Sequence, residues 1–305
     1  MNSRTHIAHH DKKQQVQGLV YALVGTALFS IKPIFIKIAY QYGGDATAIM
    51  SLRALSSLPF YLILLCLLCR DGQKRSLVRQ HGWQAALIGI LGYYVASFLD
   101  IAALAYISAQ LERLLIFLFP SFVVLLSWLC LGQRPTRNVV HAVVLGYLGI
   151  VAILLHDVQS LGNEVWKGSG LAIASAFIFA IYLMLSKSII GKMGSELFTS
   201  IGMGSAGVAI LIQLAVSSAS MSSWSFELVV LGVLLGIFCT VLPSYFVAAG
   251  MARLTATELS ITSNIGPGVT AIMAVLVLSE AFTVYHFVGL CLVTLSVYWM
   301  KKPTK

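Results

Sequence analysis

Charge is scarce in this sequence. Asp, Glu, Lys and Arg make up 10% of the 305 residues, where a soluble domain carries about 25%. Such a chain cannot cover a water-facing surface, which excludes an ordinary cytosolic enzyme and a disordered protein. Long polar stretches are missing too. Between apolar runs only 70–82 and 157–167 exceed a few residues, so no soluble domain fits. The five cysteines, Cys66, Cys69, Cys130, Cys239 and Cys291, lie in or at the ends of apolar runs. Cys66-x-x-Cys69 has no second ligand pair nearby, so neither a disulfide framework nor a zinc module is implied. No phosphate-binding loop, zinc spacing or nucleophile pattern occurs. No cofactor and no metal is therefore expected.

What the sequence has is apolar length: 58% hydrophobic residues and a mean hydropathy of +0.89. At about 20 residues per crossing, the pattern predicts an all-α integral membrane protein. Ten transmembrane helices are expected at about 17–39, 46–69, 83–106, 109–131, 138–156, 168–190, 196–218, 226–251, 256–279 and 283–300. The first run is too long for a signal-peptide core and lacks a cleavage pattern, so it reads as a retained span. Residues 1–16 read as a mobile cytoplasmic tail. Its His6, His9 and His10 are read as a solvated tail rather than a metal site.

Lys and Arg set the orientation. With the N-terminus inside, fifteen fall on the cytoplasmic side: Arg4, Lys12, Lys13, Arg70, Lys74, Arg75, Arg79, Arg134, Arg137, Lys187, Lys192, Arg253, Lys301, Lys302 and Lys305. Only Lys37 and Lys167 face the other way, and Lys32, Arg53 and Arg113 lie inside helices. Both termini are therefore expected in the cytoplasm. The net charge of +9 then faces the anionic inner leaflet and is no nucleic-acid footprint.

The chain also echoes itself. At an offset near 150, Gly18 falls on Gly168, Phe29 on Phe179 and Lys37 on Lys187. At 147, Gly89 falls on Gly236, Pro120 on Pro267 and Gln133 on Glu280. Two five-helix repeats, 17–156 and 168–300, follow. Five is odd, so they are inverted relative to each other, a device of secondary transporters that open a shared site to alternate sides. This ten-span layout resembles the drug/metabolite transporter superfamily, specifically its EamA-type members. The resemblance rests on the Gly18-to-Lys37 helix and its echo at Gly168-to-Lys187. It rests also on the fourth helix, Phe119-Pro120-Ser121 through Leu131-Gly132-Gln133, and its counterpart, Gly266-Pro267-Gly268 through Leu278-Ser279-Glu280. Gln133 and Ser279 depart from the family's Gly-Glu ending. The resemblance implies a transporter of small metabolites in a bacterial inner membrane.

Charges in hydrocarbon are costly, about 2.5–3.5 kcal/mol each on insertion scales, and mark functional sites. Lys32 and Arg53 sit about 10 Å from the outer ends of their helices at 1.5 Å per residue. Asp100, Glu112 and Arg113 fall in the same layer, with Tyr93, Tyr94 and Tyr106 nearby. Their repeat partners Tyr182, Met203, Val247, Leu259 and Ser260 are uncharged, so the fold does not demand them. In one reading Lys32 snorkels while Arg53–Asp100 and Arg113–Glu112 are ion pairs that lock helices together. In the other the five line a vestibule of net charge +1, suited to a carboxylate-bearing substrate. Helix breakers point to the substrate path: Pro33 beside Lys32, Pro120, and Gly266-Pro267-Gly268, with Asn264 one turn earlier as a polar contact. Mid-span prolines are expected to free backbone carbonyls.

The function expected is secondary active export of small polar metabolites such as amino acids, with Lys32, Arg53, Tyr94, Asp100, Glu112, Arg113 and Asn264 binding or gating. The partners expected are a small-molecule substrate, the lipid bilayer and protons as a candidate coupling ion, with the oligomeric state left open. Two alternatives stand beside it: efflux of cationic or multiple drugs, and a membrane-embedded lipid-modifying enzyme. The histidines His81, His141, His156 and His286 look scattered over both sides, which counts against the enzyme.

Overall fold

A computed structural model describes residues 2–217, 221, 224–251, 253–254, 262 and 265–300. The described residues are helical, with no strand among them. The helices are α1 (Asn2–Gln41), α2 (Ala46–Leu68), α3 (Gly72–Ala103), α4 (Ala109–Leu131) and α5 (Arg137–Leu161). Then follow α6 (Glu164–Met193), α7 (Ser195–Val216) and α8, which runs through Phe226–Gly236, Ile237–Val241 and Leu242–Met251. α9 (Gly266–Leu278) and α10 (Val284–Met300) complete the series. Eight are long and apolar enough to cross a membrane; Gly266–Leu278 and Val284–Ser296 are shorter apolar helices. This is an integral membrane protein. The first part of the helix expected at 256–279 lies outside the described residues. Residues 72–82, expected as a loop, instead form the first turns of α3. Asp71 caps them by accepting from the Gln73 N–H at 2.9 Å, and their polar side chains sit on helix formers.

Large apolar side chains such as Leu129, Leu276, Leu148 and Ile212 point outward. In water that would be a fault; in lipid it is the solvated state. Contacts between helices must then come from close packing and polar bonds, because burial from lipid adds little. Small residues supply the closeness. A side chain on Gly89 of α3 would collide with the Gly202 backbone of α7, and one on Gly232 or Gly236 of α8 with Leu52 or Ser56 of α2.

The neighbours form a regular scheme. α1 packs on the end of α8 and on α9, while α6 packs on the end of α3 and on the second half of α4. α2 meets α7 and α8, α7 meets α2 and α3, and α5 lies along α10. Adding five to each label maps this scheme onto itself. Local devices recur as well. α3 widens into a π-helical stretch at Ile90–Ala96 and α8 at Ile237–Val241, with starts 147 residues apart. α4 ends on Gly132 (φ 67°) and α9 on Ser279 (φ 54°), both left-handed. Each ending is closed in the same way: Gln133 N–H bonds the Ser127 carbonyl at 3.3 Å, and Glu280 N–H the Ala274 carbonyl at 3.1 Å.

The helix breakers act differently from the expectation. Pro120 does not interrupt a helix. α4 stops at Ile116, turns through Phe117 and Leu118, and restarts at Phe119, which puts Pro120 in the first turn, where its missing N–H costs nothing. From there the helix is bonded at once, Phe122 N–H reaching the Leu118 carbonyl at 3.2 Å. Pro267 stands likewise in the first turn of α9, and the Ile265 carbonyl accepts from Val269 N–H at 3.0 Å.

Candidate functional site

Four helices bring polar side chains to one buried place. Lys32 projects from α1 beside Pro33, and its Nζ stands 2.5 Å from Asp100 Oδ2 on α3. Lys32 therefore does not snorkel. The Asp100 side chain is 5% exposed and that of Lys32 19%. Asp100 follows the wide stretch Ile90–Ala96 by one turn. An extra residue in such a turn rotates everything after it by about 100°, and this sets which face of α3 the carboxylate occupies.

Glu112 and Arg113 lie in the first half of α4. The helix starts cleanly because Ser108 caps it, accepting from Leu111 N–H at 3.0 Å. The Glu112 and Asp100 carboxyl groups are close enough for each to feel the other's charge. Arg113 Nη2 donates to Ser30 Oγ of α1 at 3.3 Å, and its guanidinium lies 5.7 Å from the centre of the Phe117 ring. The opening of α9 closes the place. A side chain on Gly266 would come within 3.2 Å of Arg113 Nη2. Thr270 Oγ1 donates to the Ser30 carbonyl at 2.7 Å, bracing α1 next to Pro33. So Lys32, Pro33, Asp100, Glu112, Arg113 and Gly266 converge. Among the described residues several buried atoms there have no hydrogen-bond partner: Asp100 Oδ1, Glu112 Oε2 and Arg113 Nε, with Gln110 Oε1 nearby along α4. Buried polar groups without partners are expensive unless water or another group satisfies them.

Other expected members stand apart. Arg53 is buried, but its Nη2 lies 3.2 Å from Met50 Sδ and it forms no ion pair among the described residues. The expected Arg53–Asp100 pair is thus replaced by Lys32–Asp100, although Arg53 still feels the Asp100 charge. Tyr94 packs against the apolar core of α1, α2 and α3. Tyr93 bonds the Tyr182 hydroxyl at 2.8 Å and Tyr106 accepts from Lys167 at 2.8 Å, so both engage α6 and not the charged layer. Asn264 lies outside the described residues. A recess of about 280 Å³, lined by Lys37, Tyr40, Gln41, Leu104 and Ala105, opens about a turn beyond Lys32 and Asp100.

A second polar group went unseen in the sequence. Glu280, just past α9, holds the start of α4: its Oε1 accepts from Ala109 N–H at 2.9 Å and its Oε2 from Gln110 Nε2 at 3.4 Å. Beside it, His156 and His286 meet at Asp157. Of the four histidines expected to be scattered, His156 and His286 are brought together, because α5 and α10 pack together with the end of one at the start of the other. A spacing of 130 positions leaves no signal in sequence, and Asp157 counts there with the polar stretch 157–167.

Comparison with known proteins supplies independent evidence. Residues 16–155 and 166–301 each match the family described as the EamA-like transporter family. The "Uncharacterized transporter YcbK" of Bacillus subtilis (strain 168) is 26% identical over 292 residues, 91% of this chain and 90% of that protein. An "Uncharacterized transporter" of Vibrio cholerae is 29% identical over 308 residues, 95% of both chains. A solved crystal structure superposes with a TM-score of 0.63 at 19% identity, covering 94% of this chain and 98% of the other. At that identity the likeness concerns the fold.

Proposed function

The chain belongs to the EamA-like transporter family and is a membrane transporter, and from that premise we propose that it is a secondary active exporter of small zwitterionic or anionic metabolites, of which amino acids are the model case. The observation that carries this reading is the buried cluster of Lys32, Asp100, Glu112 and Arg113 with its unpartnered atoms. Arg113 offers a guanidinium for a carboxylate, and Asp100 with Glu112 offers acceptors for an ammonium. Arg53 adds a further positive charge at a distance, leaving the layer net positive. Two buried carboxyl groups close enough to feel each other's charge disfavour ionising together, so the Asp100–Glu112 pair supplies a coupling proton. Substrate arrival at the cluster releases it.

The chain is read as ten crossings with both termini in the cytoplasm of a bacterial inner membrane. Residues 17–156 and 168–300 act as inverted halves that rock against each other. The recess at Lys37 and Tyr40 is the mouth on the outer side, and the restart of α4 at Phe119 and the start of α9 at Gly266 are where each half bends. A second reading, efflux of cationic drugs, draws on the run of ring contacts Phe117, Phe119, Phe179 and Tyr182.

Purified protein in liposomes, offered amino acids, small carboxylates, sugars and cationic dyes with and without a pH gradient, tests the proposal. Saturable flux of a zwitterion or anion, driven by the gradient and lost in Lys32→Ala and Glu112→Gln, is expected. Flux of dyes alone selects the second reading. Flux indifferent to both substitutions overturns the site.

A further inference from the structure

The cluster at the end of α5 takes no part in the reading above. His156 Nδ1 lies 3.5 Å and His286 Nε2 lies 3.4 Å from the same oxygen, Asp157 Oδ1. One donor atom from each of the three residues falls within 4.8 Å of the other two. Ligands held at 2.0–2.2 Å from a tetrahedral ion stand about 3.3–3.5 Å apart. The two shortest separations thus already match those an ion would impose. We propose that His156, Asp157 and His286 bind a divalent transition metal of the Zn²⁺ class.

The chemistry of the donors fits. Two imidazoles and one carboxylate suit Zn²⁺ and its neighbours in the series, and not Mg²⁺ or Ca²⁺, which require oxygen ligands. The surroundings fit as well. Asp157 Oδ2 accepts from Ser108 Oγ at 2.6 Å, which fixes the carboxylate and leaves Oδ1 facing the histidines. His286 Nδ1 lies 2.9 Å from Thr283 Oγ1. With an ion on Nε2, the ring proton sits on Nδ1 and the hydroxyl accepts it, the outer-shell partner that metal-binding histidines use. Before the ion arrives Thr283 N–H, 3.3 Å from Nδ1, favours the proton on Nε2, so binding moves that proton to Nδ1 with no net release from a neutral ring. His286 and Asp157 are buried, while the His156 side chain keeps 20% exposure and gives the ion a way in. Three protein ligands leave a fourth position open, as in exchangeable sites. An ion there ties α5 to α10 and, through Ser108, to the half of α4 that carries Glu112 and Arg113.

The test measures binding and needs no transport substrate, so its failure is distinct from failure of the exporter reading. Full-length protein without a histidine tag, carrying His6→Ala, His9→Ala and His10→Ala to silence the tail, is titrated with Zn²⁺ by equilibrium dialysis and with Co²⁺ by visible absorption. One Zn²⁺ per chain is expected, with the intense bands of four- or five-coordinate Co²⁺. Affinity should drop by more than the roughly 10–100-fold that loss of an outer-shell partner costs, in His156→Ala and in His286→Gln alike. The partly exposed His156 keeps the test alive if the His286 variant fails to fold. Monodisperse protein that binds no Zn²⁺, or binds it as tightly in both variants as in the parent, overturns the proposal.

Discussion

Lys32→Met preserves the length of the side chain and removes its charge. Asp100 Oδ2 then loses its ammonium, Oδ1 already has no partner, and a carboxylate 5% exposed is left facing Glu112. Stranding one member of a buried pair costs about 3–5 kcal/mol. Asp100→Asn strands the lysine instead. Its side chain keeps 19% exposure and can recruit water, so the cost falls to about 1–2 kcal/mol. Removing both charges in Lys32→Met/Asp100→Leu should return the protein to within about 1 kcal/mol of the parent, since apolar replacement of a whole buried pair is close to neutral. Unfolding of detergent-purified protein, followed by tryptophan fluorescence in urea or on heating, measures all three. The double variant should be stable and inactive. If each single variant stays within about 0.5 kcal/mol, the pair is solvated and the burial argument fails. A stable double variant that still transports makes the pair scaffolding.

Ser279 holds φ 54°, a conformation that costs a non-glycine residue about 1 kcal/mol or more. Ser279→Gly should raise stability by about that amount in the same unfolding assay, and Gly132→Ala at the matching position should lower it. Gly89→Val should abolish the monodisperse peak in size-exclusion chromatography, because its side chain meets the Gly202 backbone. Gly204→Ala should be silent, since its nearest neighbour, Leu62, is 3.8 Å away. Glu280→Ala removes the acceptor for the first amide of α4 and should cost about 1–2 kcal/mol of stability, while Glu280→Gln should recover part of it.

Hydropathy alone located most of the spans, because lipid punishes any unpaired backbone and leaves helices as the one solution for such runs. The proline at 120 marked a real break, yet its role was inverted: it opens the second half of α4 instead of damaging a whole helix, and Pro267 likewise stands in the first turn of α9. The charged layer was legible because five costly residues at one depth have no other explanation in composition. Who pairs with whom was not. Partner choice depends on the rotation of α3 after Ile90–Ala96, and a wide turn has no sequence signature. Arg53 therefore looked like the partner of Asp100 until the register of α3 was known. The meeting of His156 with His286 depends on the alignment of α5 and α10, which single-sequence periodicity cannot contain.

The bond from Ala109 N–H to Glu280 spans 171 positions, and that has a consequence in time. At roughly 5–20 residues per second, about 10–30 s pass between synthesis of the start of α4 and arrival of the group that caps it. Thr270, which braces Ser30, arrives later still relative to its partner, across 240 positions. During synthesis the first five helices therefore wait in the bilayer unfinished at the ends that carry Lys32, Glu112 and Arg113. A chain halted after α5 lacks those two partners, and co-expressing residues 164–305 as a separate polypeptide is the way to supply them in trans.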